Sequence, residues 1–128
     1  MREITTHKVN GLNEAIKIEA LDEPGSGGAC HHYRMTHAGP KGPINPNGDP
    51  SYSEVYFQNG PIGEVGVNGI SNEALLAIVA DRLEGFQDGP FANPHNEAAL
   101  LNVHRAIDHL LQRTRERVER GVEGTLVA

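Results

Sequence analysis

The sequence contains one cysteine, no tryptophan, and only three tyrosines and three phenylalanines. The single Cys30 excludes an intramolecular disulfide framework and fits a reducing compartment. The scarcity of aromatic residues and a hydrophobic fraction of 38% leave a lean core for one small domain. Part of the apolar surface is therefore expected to be buried between subunits, which predicts a homo-oligomer.

Long apolar runs and an excess of positive charge are also missing. No segment approaches the roughly 18 apolar residues of a membrane span, and residues 1–10 are too polar for a signal peptide, so we expect a soluble intracellular protein. The formal net charge of −6 argues against a general nucleic-acid binder, which would present a broad basic surface. The sequence shows no Ser-His-Asp or paired-carboxylate pattern, and we predict no catalytic residue and no cofactor.

Four residues with metal-binding side chains lie close together in the first half of the chain: Cys30, His31, His32 and His37. Their spacing matches no closed zinc pattern, and a strand would place His31 and His32 on opposite faces. We predict no metal site and keep metal binding as the alternative. The glycines of "GPIGEVGVNG" do not form a phosphate loop, because no Lys-Ser or Lys-Thr pair follows them. This segment is predicted to be a turn-rich linker.

The first part of the chain, residues 1–59, has the pattern of a small antiparallel sheet. "AIKIEAL", Ala15–Leu21, alternates as a half-buried strand does, and the next strand candidates are His31–His37 and Ser53–Asn59. "NGLN" before the first strand predicts a tight hairpin turn, since Asn-Gly tolerates positive φ. The segment Ala38–Ser51, rich in proline and glycine, predicts a long loop.

The second part, residues 60–128, has the pattern of a linker followed by two antiparallel helices. The first helix is predicted over Asn72–Phe86 with Ser71 as its N-cap, and the second opens at Pro94 after the N-cap Asn93 and stops near Gly121. The two parts together predict an α+β fold in one compact domain. The expected apolar faces consist of Leu75, Leu76, Val79, Leu83 and Phe86 on the first helix, and of Leu100, Val103, Ile107, Leu110, Leu111, Thr114 and Val118 on the second.

The stretch "RTRERVERGVEGT" concentrates positive charge near the end of this acidic chain. At about 100° per residue, Arg113, Arg117 and Arg120 project to one side of the second helix, whereas Arg115 projects to nearly the opposite side. Asn102 falls close to this stripe, which borders the apolar face. Arginines interleaved with glutamates are equally typical of a solvated helix face that makes weak ion pairs, and this alternative stays open.

Aromatic and polar side chains also gather at the break between the two helices. Phe86 and Phe91 flank the break, and Asn96 lies on the apolar side of the second helix. Phenylalanine can stack on a base, asparagine can pair with a base edge or ribose, and arginine forks match phosphate oxygens, so the set suits a nucleotide. Core packing of Phe86 and bonding of Asn96 to nearby backbone are the alternatives. About 17 residues of helix, or about 25 Å, separate Asn96 from Arg113, so a second protomer or the sheet would have to complete such a site.

Three segments resemble the helical hairpin of known phage proteins: "FQNGPIGEVGVNGISNEALLAIVADRL", "GFQDGPFA" and "RTRERVERGVEGT". The hairpin is shared by the Thoeris anti-defence sponges and, more distantly, by the anti-CBASS sponges, and the similarity covers about Phe57 to Thr125. "VNGLNEAIKIEALDEPGSGGA" resembles the β-core of the Thoeris members. The resemblance implies a non-enzymatic protein that sequesters cyclic nucleotide immune signals in the cytoplasm of the infected bacterium. It further implies that glycocyclic ADP-ribose isomers bind between protomers, and that cyclic oligonucleotides can bind at a separate site in a higher assembly. The lean core and the separated halves of the site predict a symmetric homo-oligomer, a dimer or a hexamer of three such dimers.

The same resemblance implies roles for individual residues. Phe86 would stack on the base, Asn96 would read a polar edge, and Arg113 and Arg117 would clamp the pyrophosphate. Replacing either arginine is expected to weaken binding and hardly to change folding. No membrane and no polymeric nucleic acid is expected as a partner, and the alternative function is a non-enzymatic interaction protein whose hairpin mediates assembly or docking. Additional ligand contacts are expected from Gln87, Phe91, Asn102 and Arg120.

Overall fold

A computed structural model describes residues 1–37 and 51–127 of the chain. The chain divides into two compact units, Met1–Asn59 and Gly60–Ala128. The first unit contains an antiparallel sheet and the second contains the long helices. The predicted α+β class is therefore confirmed.

The sheet of the first unit is a meander of four strands. Its strand order is β1-β2-β3-β4, and every neighbouring pair is antiparallel. Two predicted strands are present with slightly shorter bounds, the third starts two residues earlier than expected, and β1 is absent from the sequence-based prediction. The strands are β1 Arg2–Ile4, β2 Ile16–Ala20, β3 His32–His37 and β4 Ser51–Tyr56.

The prediction of a hairpin turn at "NGLN" is wrong. These residues begin a helical turn, α1, at Gly11–Glu14, and the side chain of Asn10 caps it by accepting a hydrogen bond from the backbone N–H of Asn13 at 2.9 Å. Asn10 itself has an extended backbone with φ −137°, so the Asn-Gly pair opens a helix instead of reversing the chain. The predicted loop Ala38–Ser51 lies outside the described residues, except for Ser51, which begins β4.

Asp22 organises the connection between β2 and β3. Its carboxylate accepts hydrogen bonds from the backbone N–H groups of His31 and His32, with shortest distances of 2.9 and 3.2 Å. The bond from His31 is the main reason that the pKa of Asp22 lies below its usual value. The buried thiol of Cys30 donates to the carbonyl of Asp22. Within residues 1–37 and 51–127, no group of three or more His, Cys, Asp or Glu side chains is placed to hold a metal ion.

One face of the sheet carries a polar and aromatic cluster centred on Glu54. Its carboxylate accepts a hydrogen bond of 2.6 Å from the hydroxyl of Tyr56, and Nε2 of His32 lies 3.2 Å from the same oxygen. The rings of His32 and Tyr56 are stacked with centroids 4.2 Å apart. The Tyr56 hydrogen bond is the main cause that lowers the pKa of Glu54 and raises that of Tyr56. The cluster thus joins β3 to β4 across the solvent side of the sheet.

The helical hairpin of the second unit begins and ends close to the predicted residues. A short helix, α2, spans Ile62–Val65 in the linker, and the long helices are α3, Asn72–Gln87, and α4, Pro94–Glu119. The hydroxyl of Ser71 caps α3, and the side chain of Asn93 caps α4, as predicted. Among the described residues, no helix has both the length and the hydrophobicity of a membrane span.

The interior of the hairpin is thin. Ala80 is the buried apolar residue of α3, while Leu76 and Leu83 of the predicted face are half-buried. Val118 was expected on the apolar face of α4 but is 60% exposed, and its neighbour Arg117 is buried instead. In the last turn of α4, the buried side of the helix is therefore occupied by a charged residue, Arg117, and not by Val118.

After α4 the chain turns back and contacts α2. Gly121 follows the helix with φ +70°, the left-handed conformation that glycine favours. The backbone N–H of Gly63 then donates to the carbonyl of Gly124 at 2.9 Å, and Gly124 has φ +80°. A Cβ atom added to Gly63 would lie 2.7 Å from that carbonyl oxygen. The approach of these two segments therefore requires glycine at both positions.

We expect Gly63→Ala and Gly124→Ala each to lower the free energy of unfolding by about 1–3 kcal/mol, through a backbone clash and a strained φ respectively. Gly85→Ala is the matched control, because its Cβ would meet nothing within 4 Å. This exposed helical position should instead gain about 0.5–1 kcal/mol. Denaturant unfolding monitored by helical circular dichroism measures all three values. If Gly63→Ala and Gly124→Ala were as stable as the parent, the close approach of these two glycines would be contradicted.

Candidate functional site

Two phenylalanines stand at the end of the hairpin where α3 turns into α4. Phe86 is 37% exposed and Phe91 is 73% exposed, which is unusual for aromatic side chains in a protein with so few of them. The guanidinium carbon of Arg82 lies 5.0 Å from the centre of the Phe86 ring. This end of the hairpin therefore presents two accessible ring faces, one of them beside a cation.

Gln87 fastens the turn between the two helices. Its side-chain oxygen accepts a hydrogen bond from the backbone N–H of Asn93 at 3.1 Å, and its side-chain nitrogen donates to the carbonyl of Asn93 at 3.2 Å. The side-chain nitrogen of Asn93 donates in turn to the carbonyl of Phe91. The amide of Gln87, expected as a ligand contact, is thus engaged in holding the start of α4 beside the end of α3.

Asn96 lies in the first turn of α4 and is half-buried. Its backbone N–H donates to the capping side chain of Asn93 at 2.9 Å. Its own side-chain amide makes no hydrogen bond to any residue in the described ranges. A half-buried amide that bonds to none of the described residues has a donor and an acceptor available for a ligand.

The arginine-rich end of α4 contains side chains in different environments. Arg113 is exposed and makes no ion pair within the part of the chain that the structure describes. Asn102, about three turns earlier, donates to the carbonyl of Ala98 at 2.9 Å. Arg120 is the C-cap residue of α4, and its backbone N–H donates to Glu116. Arg113 and Arg120 are therefore the exposed members of the stripe, whereas Arg117 is buried.

Arg117 is only 8% exposed and lies beneath the chain that follows α4. Its Nε donates to the carboxylate of Glu123 at 3.0 Å, and its terminal nitrogens donate to backbone carbonyls of that following segment. Because the buried guanidinium is satisfied by these bonds, we expect replacement of Arg117 to lower stability, in place of the expectation that it would hardly change folding. The carbonyls that accept from Arg117 belong to Val122, Thr125 and Val127.

The structure brings together the predicted residues at each end of the hairpin but not the two ends. Phe86, Phe91 and Asn96 share the turn, whereas Arg113 and Arg117 lie in the last turns of the uninterrupted helix α4. The helical rise places Asn96 about 25 Å from Arg113, a span too long for one small ligand. One hairpin alone therefore cannot close a site that uses both of its ends.

Sequence reasoning missed three interactions that position these side chains. Two of them are the bonds between Gln87 and Asn93 and the ion pair between Glu123 and Arg117. In both, a segment without helical periodicity separates the partners, so a helical projection cannot show that they meet. His104 of α4 also lies 3.0 Å from the carboxylate of Glu84 on α3 and joins the two helices near the turn. The glycines on either side of Glu123 were the available signal, since they predict a chain reversal that returns its carboxylate toward α4.

Comparison with known proteins identifies relatives of the hairpin. Residues 49–112 match the family model described as "Acb2/Tad1, hairpin domain". The chain is also 46% identical over 71 residues to "Thoeris anti-defense 1" of Bacillus phage SBSphiJ7, a match that covers 56% of this chain and 50% of that protein. The match thus spans about half the length of this curated relative. The family model ends at residue 112, so the arginine-rich end of α4 lies beyond it.

The clamp at the turn generates a prediction with a pH signature. In Gln87→Glu, a carboxylate still accepts from the N–H of Asn93 but faces its carbonyl without a proton, which should cost about 1–2 kcal/mol at pH 7. The carbonyl should raise the folded-state pKa of the new carboxyl above its unfolded value. Stability relative to the parent should therefore be recovered as pH falls toward the carboxyl pKa, because the protonated group donates again.

Gln87→Ala is the control, since it loses both bonds at every pH. Thermal unfolding of the parent and both variants at pH 7 and at about pH 4.5, near the ordinary pKa of a glutamate, compares them directly. A deficit of Gln87→Glu that is the same at both pH values would rule out the two-bond clamp.

Proposed function

We propose that this chain, which belongs to the Acb2/Tad1 hairpin family, is a phage anti-defence protein that binds cyclic nucleotide immune signals and sequesters them without degrading them. Its similarity to a Thoeris anti-defence protein supports the Thoeris system as the target. The proposed ligands are glycocyclic ADP-ribose isomers, with cyclic oligonucleotides of CBASS immunity at a further site. The observation that carries the proposal is the amide of Asn96, which bonds to none of the described residues, at the same end of the hairpin as the exposed Phe86 and Phe91.

The turn of the hairpin suits the base and ribose of such a ligand. A phenylalanine face stacks on any base, and stacking of this kind is typically worth about 1–3 kcal/mol per base. Arg82 beside Phe86 adds a cation near the same ring. Asn96 offers both a donor and an acceptor, which is what recognition of an adenine edge or a ribose hydroxyl requires.

The other end of the hairpin suits the pyrophosphate. The exposed guanidinium of Arg113 can approach phosphate oxygens with two parallel N–H groups, which makes a charge-assisted contact. Arg117 lies one helical turn away on the same side of α4 and would share the clamp, although the residues after α4 hold its donors in this structure. In this arrangement Arg113 provides the first contact, and Arg120 and Asn102 are proposed as additional contacts further along α4.

We propose a homo-oligomer because it would account for both the separated halves of the site and the exposed apolar side chains of the hairpin. The two halves of the site lie about 25 Å apart on one protomer, and a symmetric partner can place its arginine end against the turn of the first. The hairpin also exposes apolar side chains that a partner could bury, among them Ile78, 66% exposed, and Leu101, 50% exposed. A dimer is the minimal unit of this proposal, and a hexamer would contain three such dimers.

Sequestration requires affinity and no chemistry. A protein made in excess of the signal lowers the free signal concentration when its dissociation constant lies below the concentration that activates the host defence. The cytoplasm of the infected bacterium, where such a signal would be produced, is the proposed location. The alternative function, an interaction protein that docks through its hairpin, shares the assembly but not the small-molecule site.

Calorimetric titration with glycocyclic ADP-ribose tests the ligand assignment. Arg113→Ala should remove a charge-assisted contact worth about 1.5–3 kcal/mol and weaken binding about 10- to 150-fold without changing thermal stability. Arg115→Ala is the matched control, because Arg115 projects to the other side of α4, and it should bind as the parent does. Phe86→Ala should also weaken binding.

Ligand released from the parent by heating should be chemically intact by mass spectrometry. Equal affinities of the parent and Arg113→Ala would instead support the alternative that the arginine stripe is a solvated helix face without a binding role. An altered ligand would indicate an enzyme, and absence of binding would favour the interaction protein.

Mixing the two weakly binding variants tests whether the site is shared between protomers. If Phe86 and Arg113 of one site come from different subunits, a heterodimer of Phe86→Ala and Arg113→Ala contains one intact site and one doubly defective site. Co-refolding the variants in equal amounts should then restore about a quarter of the parent's binding sites, because about half of the dimers are mixed. Light scattering should show a multiple of 13.8 kDa. Either a monomer at micromolar concentration or the absence of restored sites would contradict the shared site.

A further inference from the structure

The buried guanidinium of Arg117 is held by the segment that follows α4, which we call the tail and define as residues 120–127. Four hydrogen bonds join them: one from Nε to the carboxylate of Glu123, and three from the terminal nitrogens to backbone carbonyls of the tail. Arg117 is 8% exposed, whereas the side chain of Glu123 is 34% exposed, so the guanidinium is buried and its carboxylate partner reaches solvent. Four of its five N–H groups are thus engaged by oxygen atoms of the same protein.

These oxygens occupy the positions that a bound phosphate would need. A guanidinium recognises phosphate and carboxylate by the same geometry, with N–H groups directed at oxygens in its plane. In the tail, Glu123 supplies the negative charge and the carbonyls supply the remaining acceptors. The tail therefore satisfies Arg117 in the way that an anionic ligand would.

We propose that the tail competes with the ligand for Arg117, and that Glu123 sets ligand affinity by the strength with which it holds this arginine. The inference rests on the proposed function, since it takes the site at Arg113 and Arg117 as the phosphate end of the pocket. Arg113 captures the pyrophosphate first, and the ligand then displaces the carboxylate of Glu123 from Arg117, one helical turn away.

The construction of the tail suits such an exchange. Its last side chains, Leu126 and Val127, are exposed, so few apolar contacts resist its release. Besides the side chain of Arg117, a few backbone hydrogen bonds hold the tail, among them those from the N–H of Val122 to the carbonyl of Arg117 and from the N–H of Gly63 to the carbonyl of Gly124. The hairpin is held separately, by its caps, the Gln87 clamp and the pairing of α3 with α4. The tail can therefore detach while the helices stay folded.

Charge favours ligands with two adjacent phosphates. The tail offers Arg117 a single formal charge, whereas a pyrophosphate brings two to the neighbouring Arg113 and Arg117. We call the state in which the tail has released Arg117 the open state. A ligand that binds only this state has an apparent affinity equal to its intrinsic affinity multiplied by the fraction of molecules in the open state. Weakening the tail contact increases this fraction and should tighten binding.

Glu123→Gln tests the competition directly. The substitution keeps the size of the side chain but removes the charge that holds Arg117, and it should tighten glycocyclic ADP-ribose about three- to tenfold in calorimetric titration. Glu119→Gln is the matched control, because it removes the same charge from an exposed position in the last turn of α4, and it should change affinity less than about twofold. If Arg113→Ala weakens binding but Glu123→Gln binds no tighter than Glu119→Gln, the competition is refuted and the proposed function stands. If neither the parent nor Glu123→Gln binds, both are refuted.

Hydrogen exchange gives a readout that is independent of affinity. The backbone N–H of Val122 donates to the carbonyl of Arg117, and that of Thr125 donates to the carbonyl of Val122. Saturating glycocyclic ADP-ribose should speed exchange at these two tail amides while exchange within α3 stays unchanged or slows. Slower exchange at Val122 and Thr125 in the presence of ligand would overturn the proposal, because it would mean that the ligand closes the tail instead of displacing it.

Discussion

A single buried guanidinium determines the path of the chain at its C-terminal end. Taking Arg117 out of water is costly unless its donors find acceptors, and the tail supplies them with one carboxylate and several carbonyls. To reach Arg117 the tail must reverse after α4, and this reversal brings Gly124 against Gly63. In a unit with little apolar interior, one charged side chain thus orders the last turn of α4, the tail and its contact with α2.

The parts of this fold that could be predicted are those with local signals. Ser71 and Asn93 cap helices through bonds to residues three positions ahead, so the bounds of α3 and α4 could be read from short stretches. The Asn-Gly pair at Asn10 shows the limit of such signals, because the same two residues suit a hairpin turn and a helix start. The choice between them depends on how β1 and β2 are connected, which no local pattern encodes.

In the candidate site, too, local patterns predict some features and not others. A helical projection places Arg113 and Arg117 on one side of α4, and it cannot tell that one faces solvent and the other lies under the tail. The difference comes from residues beyond the helix, above all Glu123, whose contact with Arg117 depends on the reversal at Gly121. Gln87 was predictable as a residue near the turn, but its pairing with the backbone of Asn93 depends on the conformation of five intervening residues. Side chains can thus be nominated by type and face, whereas their partners require the folded chain.

The paired bonds between Gln87 and the backbone of Asn93 resemble one rung of a β-ladder, built from a side chain instead of a second strand. These bonds link the end of α3 directly to the start of α4, so the orientation of α4 about its axis does not depend on residues 88–92. Those residues can therefore change in length and composition without altering where α4 begins. Phe91 lies on this bypassed stretch, while Phe86 and Asn96 lie on either side of the rung. Sequence changes within 88–92 would then alter the surface of the turn around Phe91 and leave the ends of α3 and α4 in register.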